Sequence, residues 1–445
     1  MKRENRVVQL SGWGLSLVMV LVMMVTSIAG QDAGRKKFLK KPLVIEDQGS
    51  FFIGGVPKVT NYATLPAPNA PNPAANPAPN QITIGQMYVQ FQIPANKKSK
   101  APPVIMVHGS THTAACLEST PDGREGWAPY FVRNGISTYI VDQAGRGRSG
   151  FDQSVIHEAT SMIRSGDVQN GTARIPNFGR ITDNGAWTAW FGHLMPAGST
   201  ILTGTLMRHG DPGDPTTDDA SHKDTYLPAY PIGAVDPSIV SRNGAIAQAP
   251  AGPNNYYALD YYKQLVPNAE VTLPGSTCAA CQPSELSPAN TWTPRDLALL
   301  VEKLGGAVVA THSQSGIMGH HMVRILKERG HLDLVKGLIT IEGGCSLANS
   351  GLKAEDFDNI PYMAMKGDYA ATSMQCQETV DAINARRAEG KGIAKAEYIK
   401  LDELGPVFNG TTHMMMLGTN NLEIADVILN WADENIPPKA KKVKK

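Results

Sequence analysis

The sequence predicts an α/β fold: a mostly parallel central sheet with helices on both faces and an inserted cap region. Three observations predict it. Strand-length apolar runs recur at Val104–Val107, Thr138–Val141, Ala307–Ala310, Leu338–Ile341 and Tyr362–Met365, and such continuous runs suit strands buried on both faces. Stretches of helical periodicity separate them, the alternation expected of crossover units in a parallel sheet. Between residues 151 and 290 that rhythm fails in a segment rich in Gly, Pro, Asn and aromatics, which therefore reads as an insertion above the sheet.

Taken in order, the chain opens on Lys2, Arg3 and Arg6, continues through the apolar run from Leu15 to Val25, and reaches the small-residue end Ser27-Ile28-Ala29. This is the three-part pattern of a secretory signal peptide, with cleavage expected after Ala29 and a secreted or periplasmic product. The apolar part is shorter than the ~20 residues that span a bilayer, so no stable membrane anchor is expected. Residues 30–47 read as a polar leader and 48–445 as the folded domain. Within it, Phe51–Ile53 followed by Gly54-Gly55 reads as a short strand and turn, and the Pro-, Ala- and Asn-rich residues 64–80 as a stiff surface loop. Tyr88, Phe91 and Ile93 mark a strand and Trp127–Arg133 a helix. Leu422, Ile424, Val427, Ile428 and Trp431 recur at the spacing of a final helix. Of the insertion's aromatics (Trp187, Trp190, Phe191, Tyr256, Tyr257, Tyr261 and Tyr262), a minority are expected to line a substrate pocket.

Composition narrows the function. The 445 residues carry 41 Lys plus Arg against 40 Asp plus Glu, a net +1, which supplies no field for nucleic acid. A 42% hydrophobic content is enough for a sizeable core and excludes pervasive disorder. Among the five cysteines, Cys278 and Cys281 form a C-x-x-C without two further ligands at zinc spacing, so a small loop disulfide or two thiols is expected and no metal.

The stretch Ala307 to Gly316 carries the chemistry. A β-branched run enters the turn Thr311-His312-Ser313-Gln314-Ser315, and an apolar helix leaves it (Ile317, Met318, Met322, Ile325, Leu326). This is the context of a nucleophile elbow, in which a strained turn holds a serine hydroxyl clear of the sheet. Thr311 and Ser315 stand where glycines are usual. Ser313 is preferred to Ser315 as nucleophile because His312-Ser313-Gln314 matches a common form of the turn. Two further segments fall in order: His108-Gly109 ends the run Val104–Val107, and Asp142-Gln143-Ala144-Gly145-Arg146-Gly147-Arg148-Ser149 follows the next strand.

With these three motifs the chain resembles the α/β-hydrolase superfamily, and within it a small group of secreted bacterial serine esterases. Thr120-Pro121-Asp122-Gly123-Arg124 and Thr412-His413-Met414-Met415-Met416 strengthen the likeness, which covers roughly residues 48–437 and is weakest over 151–290. The resemblance implies carboxylic ester hydrolysis through an acyl-enzyme, without cofactor, on a small-molecule ester. The order nucleophile, acid, histidine makes His413 the base, because it alone lies late, before the final helix. The acid that such enzymes place after Tyr362–Met365 is missing, since Ala370 occupies its spot. Glu342, which follows Leu338–Ile341 and precedes Gly343-Gly344, is assigned instead, as in the resembling esterases; Asp368 is the alternative. The oxyanion donors are expected at the backbone N–H groups of Gln314 and Ser110, although the resembling enzymes carry adjacent cysteines where Ser110 and Thr111 stand here. His108 is expected to brace its loop. Cys345 and Cys376 match cysteines of those esterases on neighbouring strand loops, which implies a disulfide. Lactonase, thioesterase or peptidase activity with the same triad is the alternative chemistry. A catalytically silent binding protein is the alternative of another class.

Overall fold

Alternating apolar side chains on short extended segments have two faces to bury, and the fold buries both. A computed structural model describes residues 39, 41–65, 78–97, 101–121, 123–175, 179–182, 186, 190, 261–268, 292–367, 374–408, 411–418 and 420–436, with backbone alone for 235–241 and 244–247. In chain order its strands are β1 (Ile45–Thr60), β2 (Asn80–Pro94), β3 (Val104–Val107), β4 (Thr138–Asp142), β5 (Val235–Ser241), β6 (Gly244–Ala247), β7 (Ala307–His312), β8 (Val335–Ile341), β9 (Tyr362–Lys366) and β10 (Ala396–Lys400). Eight of them form one sheet in the order β1-β2-β4-β3-β7-β8-β9-β10. β1 pairs antiparallel with β2 and β2 with β4; every pairing from β4 to β10 is parallel. β5 and β6 make a separate antiparallel pair. This is the α/β-hydrolase architecture.

The helices are α1 (Ala115–Glu118), α2 (Trp127–Arg133), α3 (Ser154–Arg164), α4 (Val168–Ala173), α5 (Trp292–Leu304), α6 (Ser315–Glu328), α7 (Cys376–Ala388) and α8 (Asn421–Asn435). On one face of the sheet Val104, Met106, Ile140, Val308 and Ile339 pack with Trp127 and Phe131 of α2 and with Ile424, Ile428 and Trp431 of α8. On the other, Ile105, Val107, Val141, Val309 and Leu338 pack with Leu297 and Val301 of α5, Met322 and Leu326 of α6, and Val380 and Ile383 of α7. The period of two along each strand thus divides the core into two layers.

One expectation needs correction. Gly54-Gly55 does not end the first strand: both glycines have positive φ (68° and 78°), yet β1 continues through them to Thr60, paired with β2. The long partner strand supplies hydrogen bonds that outweigh the local turn preference of the glycines. After residue 151, where the strand–helix rhythm was expected to fail, α3 and α4 follow one another with no strand between them. The expected signal peptide, Cys278, Cys281, Asp368, Trp187, Phe191, Tyr256 and Tyr257 lie outside the described residues. Among the described residues no helix is long and apolar enough to cross a membrane.

Candidate active site

β3 lies between β4, which follows it in the chain, and β7, which comes much later. Chain direction away from β3 therefore splits to opposite sides, and such switch points open a crevice at the carboxyl ends of the strands. Among the described residues, the candidates that follow β3, β7 and β8 lie at that edge. Ser313 follows β7 directly, Gly109-Ser110 follow β3, and Glu342 follows β8 directly.

Ser313 has φ 55°, the left-handed region in which a Cβ is strained. The turn is held from both sides, the Ser313 N–H donating to the Ile341 carbonyl at 2.9 Å and the Gly316 N–H to the Ser313 carbonyl at 2.9 Å. Small residues are required around it. A Cβ on Gly109 would stand 2.9 Å from the Ser313 Cβ, and one on Gly343 2.7 Å from the Ser313 carbonyl oxygen and 2.9 Å from the Gly316 Cα. Thr311, where glycine is usual, is accommodated by the helix: a Cβ on Gly319 would meet its methyl group at 2.9 Å, and its hydroxyl donates to the Ile339 carbonyl at 3.0 Å. Ser315 is fully buried. Its Oγ accepts from the His312 N–H at 2.8 Å and lies within hydrogen-bond distance of the Val107 and His312 carbonyls, a structural role that ties the elbow to β3.

Glu342 also has positive φ (43°). Its carboxylate is fully buried and receives His413 Nδ1 at 2.5 Å on one oxygen and the Gly367 N–H at 2.8 Å on the other. Because the carboxylate accepts from Nδ1, the lone pair of a neutral His413 ring is on Nε2. Gly367 sits where the usual acid loop begins, and a Cβ there would stand 3.2 Å from the Glu342 oxygen; the missing side chain makes room for the carboxylate arriving from β8.

The loop bearing His413 is braced at several points. Its backbone N–H donates to the Trp190 carbonyl at 3.1 Å, and its carbonyl accepts from His312 Nε2 at 2.8 Å. Arg124 donates to the Leu417 and Gly418 carbonyls and to the Asn421 side chain at 2.7–3.0 Å, which gives the Thr120–Arg124 motif its purpose. His312, named above only as part of the elbow, supports the histidine loop, its ring centroid 4.7 Å from that of His413. Burial foremost, with the His413 charge second, holds His312 well below the usual histidine range. His112 was not singled out either. It donates from Nδ1 to the Ser110 carbonyl at 2.7 Å and faces the Tyr261 hydroxyl with Nε2 at 3.1 Å, while its ring lies 5.1 Å from that of Trp190. Trp190 and Tyr261 thus lie against the Ser110 loop and the His413 loop together. Burial pushes His112 down to about 3. His108 braces its loop as expected, Nε2 accepting from the Gln143 N–H at 3.0 Å and Nδ1 donating to the Gly109 carbonyl at 2.8 Å; burial, then the Arg146 charge, lowers it to about 4.

Cys345 and Cys376 are bonded, with an S–S distance of 2.00 Å and Cα atoms 4.8 Å apart. The bond joins the loop leaving Glu342 to the start of α7. Cys116 is a buried free thiol.

No protein-family model matches the chain. The chain is similar to a fungal protein (Fungal sp., strain ATCC 74256) described as "Probable secreted lipase phiG", 25% identical over 391 residues that span 78% of this chain and 85% of the relative. Among solved structures it is similar to a novel bacterial esterase determined at atomic resolution, with 27% identity, a TM-score of 0.61, and coverage of 90% of this chain and 99% of the other. The chain has an α/β-hydrolase superfamily fold and resembles bacterial and fungal esterases and lipases.

Proposed function

We propose that the protein is a secreted serine carboxylesterase. Ser313 attacks the ester carbonyl carbon while His413 Nε2 takes the hydroxyl proton, and the N–H groups of Gln314 and Ser110 receive the negative charge that develops on the carbonyl oxygen. Collapse expels the alcohol, which takes its proton from His413. Water activated by the same histidine then releases the carboxylic acid and regenerates Ser313. Glu342 holds the Nδ1–H tautomer and stabilises the imidazolium of both steps. The observation that carries this reading is the buried hydrogen bond between His413 and Glu342 at 2.5 Å, beside a serine held at φ 55°. Export is supported by the N-terminal pattern ending at Ala29 and by the Cys345–Cys376 bond, which belongs to an oxidising compartment.

Hydrolysis of p-nitrophenyl acetate and labelling by a fluorophosphonate test the chemistry. Ser313→Ala is expected to abolish labelling and to lower turnover by roughly 10⁴–10⁶; near-normal turnover would sink the reading.

A further inference from the structure

Arg146 is 2% exposed, and nothing in the hydrolytic steps above uses it. It lies in the turn after β4, in the Asp142–Ser149 segment. Its neighbour Arg148 is half-exposed and pairs with Asp142 through Nε at 2.8 Å and Nη2 at 3.0 Å. Arg146 turns inward instead. Nη1 donates to the Gly109 carbonyl and to Gln143 Oε1, both at 3.1 Å, and Nη2 donates to Gln314 Oε1 at 2.8 Å. The two outer acceptors belong to the two segments that supply the proposed oxyanion donors. The Gly109 carbonyl shares its peptide unit with the Ser110 N–H, and in a planar trans unit the two point in opposite directions. A cation on that oxygen therefore sets the direction of the Ser110 N–H and, by polarising the unit, strengthens it as a donor. His108 Nδ1 donates to the same oxygen at 2.8 Å. The bond to the Gln314 side chain pins the residue that carries the second N–H.

We propose that Arg146 is a positioning residue of the oxyanion hole, clamping the loop after β3 to the elbow after β7 and adding its charge to the field on the developing oxyanion. This rests on the serine esterase reading. Preorganised charge acts on the transition state rather than on the bound ester. Arg146→Gln in the full chain is therefore expected to lower kcat on p-nitrophenyl acetate by about 10–10²-fold, short of the 10²–10³ lost with a direct donor, with KM staying within about threefold. Phenylboronic acid, which forms a tetrahedral adduct on an active serine, should lose affinity by the same factor as kcat/KM. Arg146→Lys keeps the charge without the fork that reaches both acceptors, and is expected to recover part of both losses. Unchanged kcat in either variant would overturn the proposal. So would a fall in kcat that leaves boronate affinity untouched, because a generally loosened protein predicts that result. If Arg146→Gln fails to fold, Arg146→Lys decides by the same two measurements. Wild-type protein that neither hydrolyses the ester nor binds the boronate would instead remove the esterase reading itself.

Discussion

At the residue scale, the question is which carboxylate serves His413. Glu342 satisfies both oxygens internally, one on the imidazole and one on the Gly367 N–H, and a buried polar group left without such partners is costly. Glu342→Gln removes the charge while keeping the shape, and amide for carboxylate at this position in a serine triad costs about 10⁴ in kcat. Turnover of p-nitrophenyl acetate by Glu342→Gln is therefore expected to fall by about 10³–10⁴, and that of Asp368→Asn to stay near wild type; the reverse ranking would return the acid to the strand after which it is usual. The signal for Glu342 was legible in the chain, as an acid directly after an apolar run and before two glycines. Arg146 and His112 carried no such signal. What makes each matter is a partner far away in sequence, Gln314 for Arg146 and Tyr261 for His112.

At the element scale, the loop after β8 has two duties. It carries Glu342, and through Cys345 it is tied to the start of α7, where Met374 and Gln375 both have positive φ. The Cys345 N–H donates to the Met374 carbonyl at 3.1 Å and the Thr379 hydroxyl to the Cys345 carbonyl at 2.7 Å, so the crosslink joins segments already in register. Closing a loop of 31 residues constrains the unfolded chain by about 3–4 kcal/mol. The double variant Cys345→Ser/Cys376→Ser is expected to lose about that much stability in a denaturant titration. Its kcat should fall too, because a loosened loop aims Glu342 less well. Full activity and an unchanged midpoint would remove both roles. The elements themselves were readable where apolar spacing was regular, as in β3, β7, β8 and α8. β1 was misread because its length is a property of the β1–β2 pair rather than of either segment.

At the scale of the whole molecule, several histidines are buried in a neutral state. Burial lowers His108, His320 and His321 to about 4 and His112 to about 3 from the usual 6.5. In the unfolded chain each takes a proton near 6.5, so below that pH the unfolded state binds more protons and stability rises with pH. Their contribution is fully present above about 6.5 and is lost as pH falls toward 4. The melting temperature is therefore expected to drop steeply between pH 6.5 and 4 and to be nearly flat from 7 to 8. His321 offers a specific check, since neither of its ring nitrogens has a hydrogen-bond partner among the described residues. His321→Leu removes two unsatisfied buried groups and should raise the melting temperature more at pH 5 than at pH 8. An equal shift at both pH values would exclude His321 from the acid response.

By itself the sequence determined the fold class and the order of the candidate site residues along it: buried parallel strands, a small-residue turn around Ser313, a late histidine and an acid at a strand end. Those are local properties, set by side-chain period, by which residues tolerate a left-handed turn, and by chain order in a sheet of one handedness. Only the tertiary structure decided which side chains meet. That Glu342 receives His413 and that Arg146 joins Gly109 to Gln314 are contacts between residues 37 to 168 positions apart. No local pattern encodes such contacts, because they exist only once the strands stand side by side and their carboxyl ends share one edge.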